Sequence, residues 1–496
     1  MPRRKAPSQT RPDGSTRPVT RSQTRNGGSK ELRESASGSA SRRTSSKGSS
    51  SSPSSPPPKK VDWARLNPKT EHYEFGGPIG ALAMIIFLPA LLLLFAYGCD
   101  ENGYDAFHRL YAFGQRVADG QVSLSDVYNA ILSWNPSTLL FYFGFVAQLV
   151  TFSTAMPGET IEGLPLRDGT RLKYKVNALS AAQTVLMITM ISNKGQGFRA
   201  PLWVYDNYAH IATSAVIVAF VVSLAVYIGS FIGGPRLLAL GGNTGNPIYD
   251  FMIGRELNPR IGEFDIKFFT ELRPGLLGWL VLNICMGIKQ YVKLGRITNS
   301  MVLVQFFQAW YIIDALYNEA SIISTMDITT DGFGFMLAFG NLAWVPIMYG
   351  LQARYLADFP VDLNFFQLAG IVALQFLGYY IFRSANTQKD TFRKNPTDPS
   401  VRGLEYIETS AGTRLLTSGW WGKARHINYL GDWLMSIAWC LPCGFGSIIP
   451  YFYCIYFAIL LVHRERRDEE KCRKKYGKDW DRYCAKVKYR IIPGIY

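Results

Sequence analysis

Between about Gly80 and Val462 the chain returns repeatedly to long runs with almost no charge, and no other feature restricts its fold as strongly. In hydrocarbon every backbone N–H and C=O must be paired within the segment, so each such run has to be helical. A helix needs about 20 residues to cross the hydrocarbon core. Runs of that kind fall near 79–98, 137–156, 176–192, 209–233, 274–292, 300–323, 333–353, 364–383, 430–444 and 446–462, the third and ninth being short. The pattern predicts an all-α polytopic membrane protein with about 8–10 transmembrane helices. The stretch 100–135 is too polar to cross and is expected as a lumenal loop.

Charge divides the chain into two parts. Residues 1–60 hold 14 Lys or Arg against 3 Asp or Glu, so most of the net +16 lies there, and large apolar residues are almost absent. Such a segment cannot offset the entropy of ordering, and residues 1–70 are expected as a disordered cytoplasmic tail ahead of a multi-spanning domain, 71–496. Its basic charge can fix topology by the positive-inside rule. It could also bind anionic lipid, nucleic acid or an acidic partner, but no nucleic acid is required. The first apolar run follows a long hydrophilic lead, so a secretory signal is not expected and the first span serves for insertion. An even number of spans returns the C-terminus to the cytoplasmic side, in keeping with 12 Lys or Arg between His463 and Arg490. The seven cysteines show no spaced framework, and the lone CxxC, Cys440 and Cys443, lies in an apolar run with no second pair, so no metal site is expected.

Several polar clusters sit at or within the apolar runs. The last run passes directly into HRERRDEEKCRKKYG, where Arg464, Asp468, Lys471, Cys472 and Lys475 share one face if the helix continues, and Gly477 suits a left-handed cap. Just upstream, GWWGKARHINYLGD crowds two tryptophans, Arg425, His426, Asn428, Tyr429 and Asp432 into fourteen residues. The Gly- and Asn-rich stretch 233–265 reads either as a pocket-lining segment carrying Tyr249, Asp250, Glu256 and Asn258 or as an ordinary loop. Asp314 and Tyr317 share one side of an apolar run. A carboxylate at that depth marks either a substrate pocket or a bond to a neighbouring helix. Lys389 and Arg393, four apart in the polar segment after Arg383, suit phosphate or plain solvent. With neither a GxGxxG after a strand nor a P-loop present, any nucleotide has to be held by side chains.

The stretches GNPIYDFMIGRELNPR (Gly245 to Arg260) and LLVHRERRDEEKCRKKYG (Leu460 to Gly477) resemble the two diagnostic motifs of the sterol reductase family, which includes the C14, C7 and C24(28) reductases and the membrane part of the lamin B receptor. The resemblance runs from about Glu74 to Tyr496. LLALGGNTGNPIYDF, followed by FDIKFFTELRPGLLGW, is most similar to the C14 branch, and the length and tail suggest a fungal member. It implies NADPH-dependent reduction of a sterol ring alkene, in a fungus on the way to ergosterol, at the endoplasmic reticulum membrane. It also implies that 383–496 holds most of the NADPH pocket, with Lys389, Arg393, Leu416, Trp421, Asn428, Tyr429, Asp468, Cys472, Arg473, Lys474, Lys475, Tyr476 and Tyr483 as its residues. An isolated alkene accepts hydride only after protonation. The residues expected to serve that step are Tyr249 as donor or relay, with Arg464, Asp468 and Tyr483 beside it, while Asp250, Asp314 and Tyr317 are expected in the sterol pocket. C7 or C24(28) selectivity and a lamin B receptor-like anchor are the alternatives. RHxNYxGD also resembles membrane isoprenylcysteine methyltransferases, which would leave GNPIYDFMIGRELNPR and the extra N-terminal spans without explanation.

Overall fold

The computed structural model describes residues 62–496 except 124, 126–133 and 194–196, with the side chains of 190–193 left aside, and these residues fall in one compact unit. The basic stretch 1–60 lies outside the described residues. Residues 62–70, grouped with the tail on sequence, are held in place: Asn67 Nδ2 donates to Arg236 O (2.7 Å), and Thr70 N to Asn243 O (3.0 Å).

Helices account for nearly all the regular structure, and the protein is an all-α polytopic membrane protein. Four two-stranded hairpins are the only sheets among the described residues. Among the described residues, five helices are long and apolar enough to cross a bilayer: Gly77–Gly98, Pro136–Ala155, Tyr208–Gly229, Ile266–Leu294 and Phe365–Lys394. Their starts are set by local chemistry. Asn135 caps Ser137 N ahead of Pro136, Asp265 caps Phe268 N, and Asn364 and Gln367 form a reciprocal capping box.

The other expected spans are helical too but depart from simple rods. The run near 300–323 is the helix Asn299–Tyr317, and the one near 176–192 is Ala178–Asn193. The run near 333–353 is not one span. It breaks into Phe335–Phe339, a π-helical turn Gly340–Trp344, Val345–Met348 with Pro346, and the wholly buried helix Leu351–Asp358. Such a break is tolerated because protein surrounds it. The segment 100–135 contains a thirteen-residue helix, Ala106–Ala118.

Around the C-terminal half, two features place the site. Helix Phe365–Lys394 continues well past Arg383, where a loop was expected, because its polar end is carried as extra turns rather than released. It packs closely on Ile427–Cys440 at Gly378 and Gly431: a Cβ on Gly431 would stand 2.6 Å from Gly378 O, so no larger residue fits. The last long helix, Phe452–Tyr476, then runs unbroken from the apolar interior into the charged segment. Gly477 ends it at φ 51°, ψ −124°, a positive φ but not the left-handed helical cap expected from sequence.

A buried ion pair ties the interior together. Arg273 Nη2 donates to Glu319 Oε1 (2.6 Å) and Asn177 Oδ1 (2.9 Å), and Glu319 Oε2 accepts Ala178 N–H (2.7 Å).

Candidate functional site

A cavity of about 400 Å³ opens where the polar ends of Phe365–Lys394 and Phe452–Tyr476 meet the hairpin Tyr406–Glu408/Arg414–Leu416 and the terminal helix Lys478–Lys486. Its lining carries six cationic side chains, Lys389, Arg393, Arg414, Arg425, Lys471 and Lys475, against one carboxylate, Asp468. Aromatic surface comes from Phe392, Trp421, Tyr476, Trp480 and Tyr483.

Helical periodicity builds one wall. Asp468, Lys471, Cys472 and Lys475 recur every three or four residues and face the cavity together, as expected if the helix ran through the membrane edge. Opposite them, Lys389 Nζ stands 3.7 Å from the Trp421 ring centroid, a cation–π contact. Trp421 donates its indole N–H to Ala385 O (2.8 Å), so the helix that carries the lysine also fixes the ring. The floor is pinned by the C-terminal strand of chain: Arg425 N donates to Tyr489 O (3.0 Å) and His426 N to Arg490 O (2.7 Å). Arg490 in turn pairs with the wholly buried Glu465 (3.0 Å).

His426 lies 3.5 Å from Asp468. Burial pushes its imidazole down to about 4, against the pull of Asp468 and with the help of Lys389 and Arg425, so it stays neutral near pH 7. Burial pushes the Cys472 thiol up to about 12 and raises the Tyr483 phenol as well, so both are neutral there. Burial opposes ionisation of Glu469, but hydrogen bonds from Trp480 and Arg473 outweigh it and hold that carboxyl below its usual range. Two buried polar atoms beside the cavity have no protein partner, Arg425 Nε and Asn428 Oδ1. A donor and an acceptor left in that state fit a polar ligand that supplies the missing partners.

Of the thirteen residues expected at a nucleotide, Lys389, Arg393, Leu416, Trp421, Asp468, Cys472, Lys475, Tyr476 and Tyr483 line this cavity. Four do not. Arg473 points off the other side of its helix to Glu469 (3.0 Å) and Asp481 (3.4 Å), and Lys474 is exposed. Asn428 donates to Asn386 Oδ1 (3.3 Å), and Tyr429 stacks on His426 (4.9 Å), both just inside the lining.

The residues expected at the proton step divide. Asp468 and Tyr483 face the cavity, whereas Arg464 and Tyr249 belong to an ionic chain nearer the membrane. Arg464 reaches Asp327 (3.4 Å), and Arg467 reaches Asp331 (3.4 Å) and Glu74 (3.1 Å). The Tyr249 hydroxyl accepts the N–H of Glu74 (2.8 Å), and burial raises its phenol. Burial also raises the Asp331 carboxyl, with Arg467 opposing.

The residues expected in a sterol pocket lie outside this polar cavity. Asp250 accepts Thr244 N (2.9 Å), Thr244 Oγ1 (2.7 Å) and Gly245 N (2.9 Å), which makes it the organiser of its own loop. Asp314 bonds the neighbouring helix through Tyr379 (3.2 Å) and Arg383 (3.6 Å). Tyr317 is 75% exposed and is not part of this cavity's lining.

Sequence reasoning passed over Arg414, Met326, Thr330 and Trp480. Arg414 arrives through hairpin pairing and Met326 through the turn Met326–Thr329, neither of which has a local signature. Arg425 and His426 were visible in the dense GWWGKARHINYLGD cluster but had no assigned role.

Comparison with known proteins places this geometry in a lineage. The profile of the ergosterol biosynthesis ERG4/ERG24 family matches residues 69–496. The chain is 48% identical over 426 residues to the delta(14)-sterol reductase erg24 of Schizosaccharomyces pombe, covering 86% of this chain and 97% of that one. It is 46% identical over 434 residues to the delta(14)-sterol reductase of Ascobolus immersus, at 86% and 99% coverage. It is 44% identical over 426 residues to the mouse delta(14)-sterol reductase TM7SF2, at 85% and 97%. The chain belongs to the ERG4/ERG24 family of ergosterol biosynthesis.

Proposed function

We propose that this protein is a delta(14)-sterol reductase that uses NADPH to saturate the C14=C15 double bond of a sterol intermediate in ergosterol biosynthesis. Near full-length similarity to relatives bearing that name supports the reaction class and the bond. The observation that carries the cofactor is the cavity itself, six cations to one carboxylate with aromatic walls, at the edge of a membrane bundle. A polyanion with flat rings is the ligand such a lining suits. Lys389, Arg393 and Lys471 would hold phosphates, Trp421 and Tyr476 would flank rings, and Arg425 Nε and Asn428 Oδ1 would gain their absent partners. When bound, the reduced nicotinamide supplies hydride.

The protein's own share of the chemistry is to dry the site, orient the sterol and move a proton. Cys472 and Tyr483, neutral by burial, line a wall without adding charge against the ring. Asp468 is held beside the neutral His426 and next to Lys471, where it tempers the positive field and positions the cofactor. An endoplasmic reticulum location with a cytoplasmic N-terminus fits the basic tail and the cytoplasmic source of NADPH.

The test is an assay of detergent-solubilised protein with NADPH and an 8,14-diene sterol, run beside 7-ene and 24(28)-ene substrates. Loss of the 14-ene is expected, and Asp468→Ala should abolish it. Reduction of a different bond would replace the assignment within the family. Absence of reduction of all three alkenes in folded protein would overturn it.

A further inference from the structure

Protonating an isolated alkene requires an acid at membrane depth, beside the hydride source but away from phosphate-binding cations. The carboxylates found in the apolar segments are nearly all committed. Glu319 is paired with Arg273, and Asp314 is tied to Tyr379 and Arg383. Asp358 accepts from Tyr104 and Tyr205, and Glu271 accepts from Asn341 (3.0 Å).

Asp432 differs. It lies within Ile427–Cys440, deep in the bundle, and among the described residues it makes no hydrogen bond and no ion pair within salt-bridge distance. It is nevertheless only partly buried, and its carboxyl oxygens are not among the fully enclosed unpartnered atoms. The charged and titratable groups around it come from three neighbouring segments and its own helix: Tyr311, Tyr349, Tyr453, Arg464 and Tyr429. Their rings continue into an aromatic wall, with Tyr311 5.0 Å and Tyr453 5.3 Å from Trp439, and Tyr349 4.6 Å from Tyr453. These rings form a buried aromatic wall beside Asp432, and aromatic faces stabilise positive charge that develops next to them. One helical turn before Asp432 stands Asn428, whose partnerless Oδ1 marks the inner end of the cofactor region.

On the reading given under Proposed function, we propose that Asp432 is the proton donor to the sterol alkene. Its carboxylic O–H bond breaks and a C–H bond forms at one alkene carbon, leaving a carboxylate and a carbocation at the other carbon. Hydride supplied by a bound reduced nicotinamide would close the second C–H bond, and the carboxylate would regain its proton from solvent. Arg464, the cation nearest Asp432, pairs with Asp327 (3.4 Å), and Arg467, three residues on, pairs with Asp331 (3.4 Å), so the helix turns leading from Asp432 to the charged segment are polar.

The experiment compares wild type with Asp432→Asn and Asp432→Glu in full-length detergent-solubilised protein, reading kcat, KM for the sterol, NADPH affinity by titration, and the thermal midpoint. Asp432→Asn keeps the shape and removes the proton. It is expected to lower kcat by at least about 100-fold, with NADPH affinity and sterol KM changed by less than about threefold and the midpoint kept. Asp432→Glu is expected to restore part of kcat. The proposal is overturned if Asp432→Asn keeps kcat within about threefold of wild type. It is equally overturned if the loss of kcat comes with an equal loss of NADPH affinity or a collapsed midpoint, which would make the residue structural. A wild type that reduces no sterol alkene would sink the underlying reading, an outcome distinct from an active wild type with an active Asp432→Asn.

Discussion

Lys389→Met offers a quantitative test of the cofactor cavity. The methionine keeps an unbranched stem against the Trp421 indole and removes only the ammonium, which stands 3.7 Å from the ring centroid. In the free protein the loss is one partly exposed cation–π contact, about 0.5–1 kcal/mol. Trp421 is still anchored by its bond to Ala385 O, so the wall should stay in place. With NADPH held as proposed, the further loss would be a charge-assisted hydrogen bond to phosphate, about 1.5–3 kcal/mol. At about 1.4 kcal/mol per decade this is about a 10- to 150-fold rise in Kd. Arg393, one turn further along the same helix, still lines the cavity, so binding should weaken rather than vanish. Calorimetric titration of NADPH into wild type and variant, beside steady-state KM values for both substrates, reads the effect. A Kd within about threefold of wild type would refute the phosphate role, and so would a rise confined to the sterol KM.

Two further outcomes follow from the buried electrostatics. Glu319→Gln should strand the Arg273 guanidinium, whose side chain is 0% exposed beside a 1% exposed partner, and cost about 3–5 kcal/mol in denaturation experiments. The double replacement Arg273→Met with Glu319→Leu should recover most of it; a single variant as stable as wild type would contradict the buried-charge argument. For His426, the native imidazole is held at about 4 while the unfolded one titrates near 6.5. As pH falls through that interval the unfolded chain takes up the proton first, so stability is highest above the upper value and drops toward the lower. In His426→Gln the thermal midpoint should depend less on pH across this window, and an unchanged slope would count against the assignment.

Much of the molecule was legible because period and polarity are local properties. Apart from the run near 333–353, which is broken, the apolar runs form helices where they were expected, and the cation face of Phe452–Tyr476 followed from spacing alone. The same spacing argument separates Arg473 and Lys474 from their neighbours in that run, since each residue turns the helix by about 100° and carries them off the cavity side. What could not be read was tertiary. The break at Gly340–Gly350 is hidden in a continuous apolar run, because a buried π turn and a membrane helix share one composition. Asp314 and Tyr317 share one helix, yet one meets Phe365–Lys394 and the other faces outward, a difference set by the neighbouring helix rather than by their own sequence. Arg414 and Met326 reach the cavity from segments distant in the chain, brought there by pairing and packing with no signal of their own.

Helix Phe452–Tyr476 carries Tyr453 at the aromatic interior and Lys475 at the cavity on one uninterrupted rod. With 1.5 Å of rise per residue the two stand roughly 33 Å apart along its axis, and their relative bearing is set by residue count. One residue inserted after Val462 would swing Asp468, Cys472 and Lys475 by about 100° and leave Tyr453 where it was. No change of side chain can undo such a phase error. The length of this segment is therefore under tighter constraint than the identity of most residues in it, whereas the neighbouring hairpin tip at Thr409–Thr413 can lengthen without turning a single cavity residue.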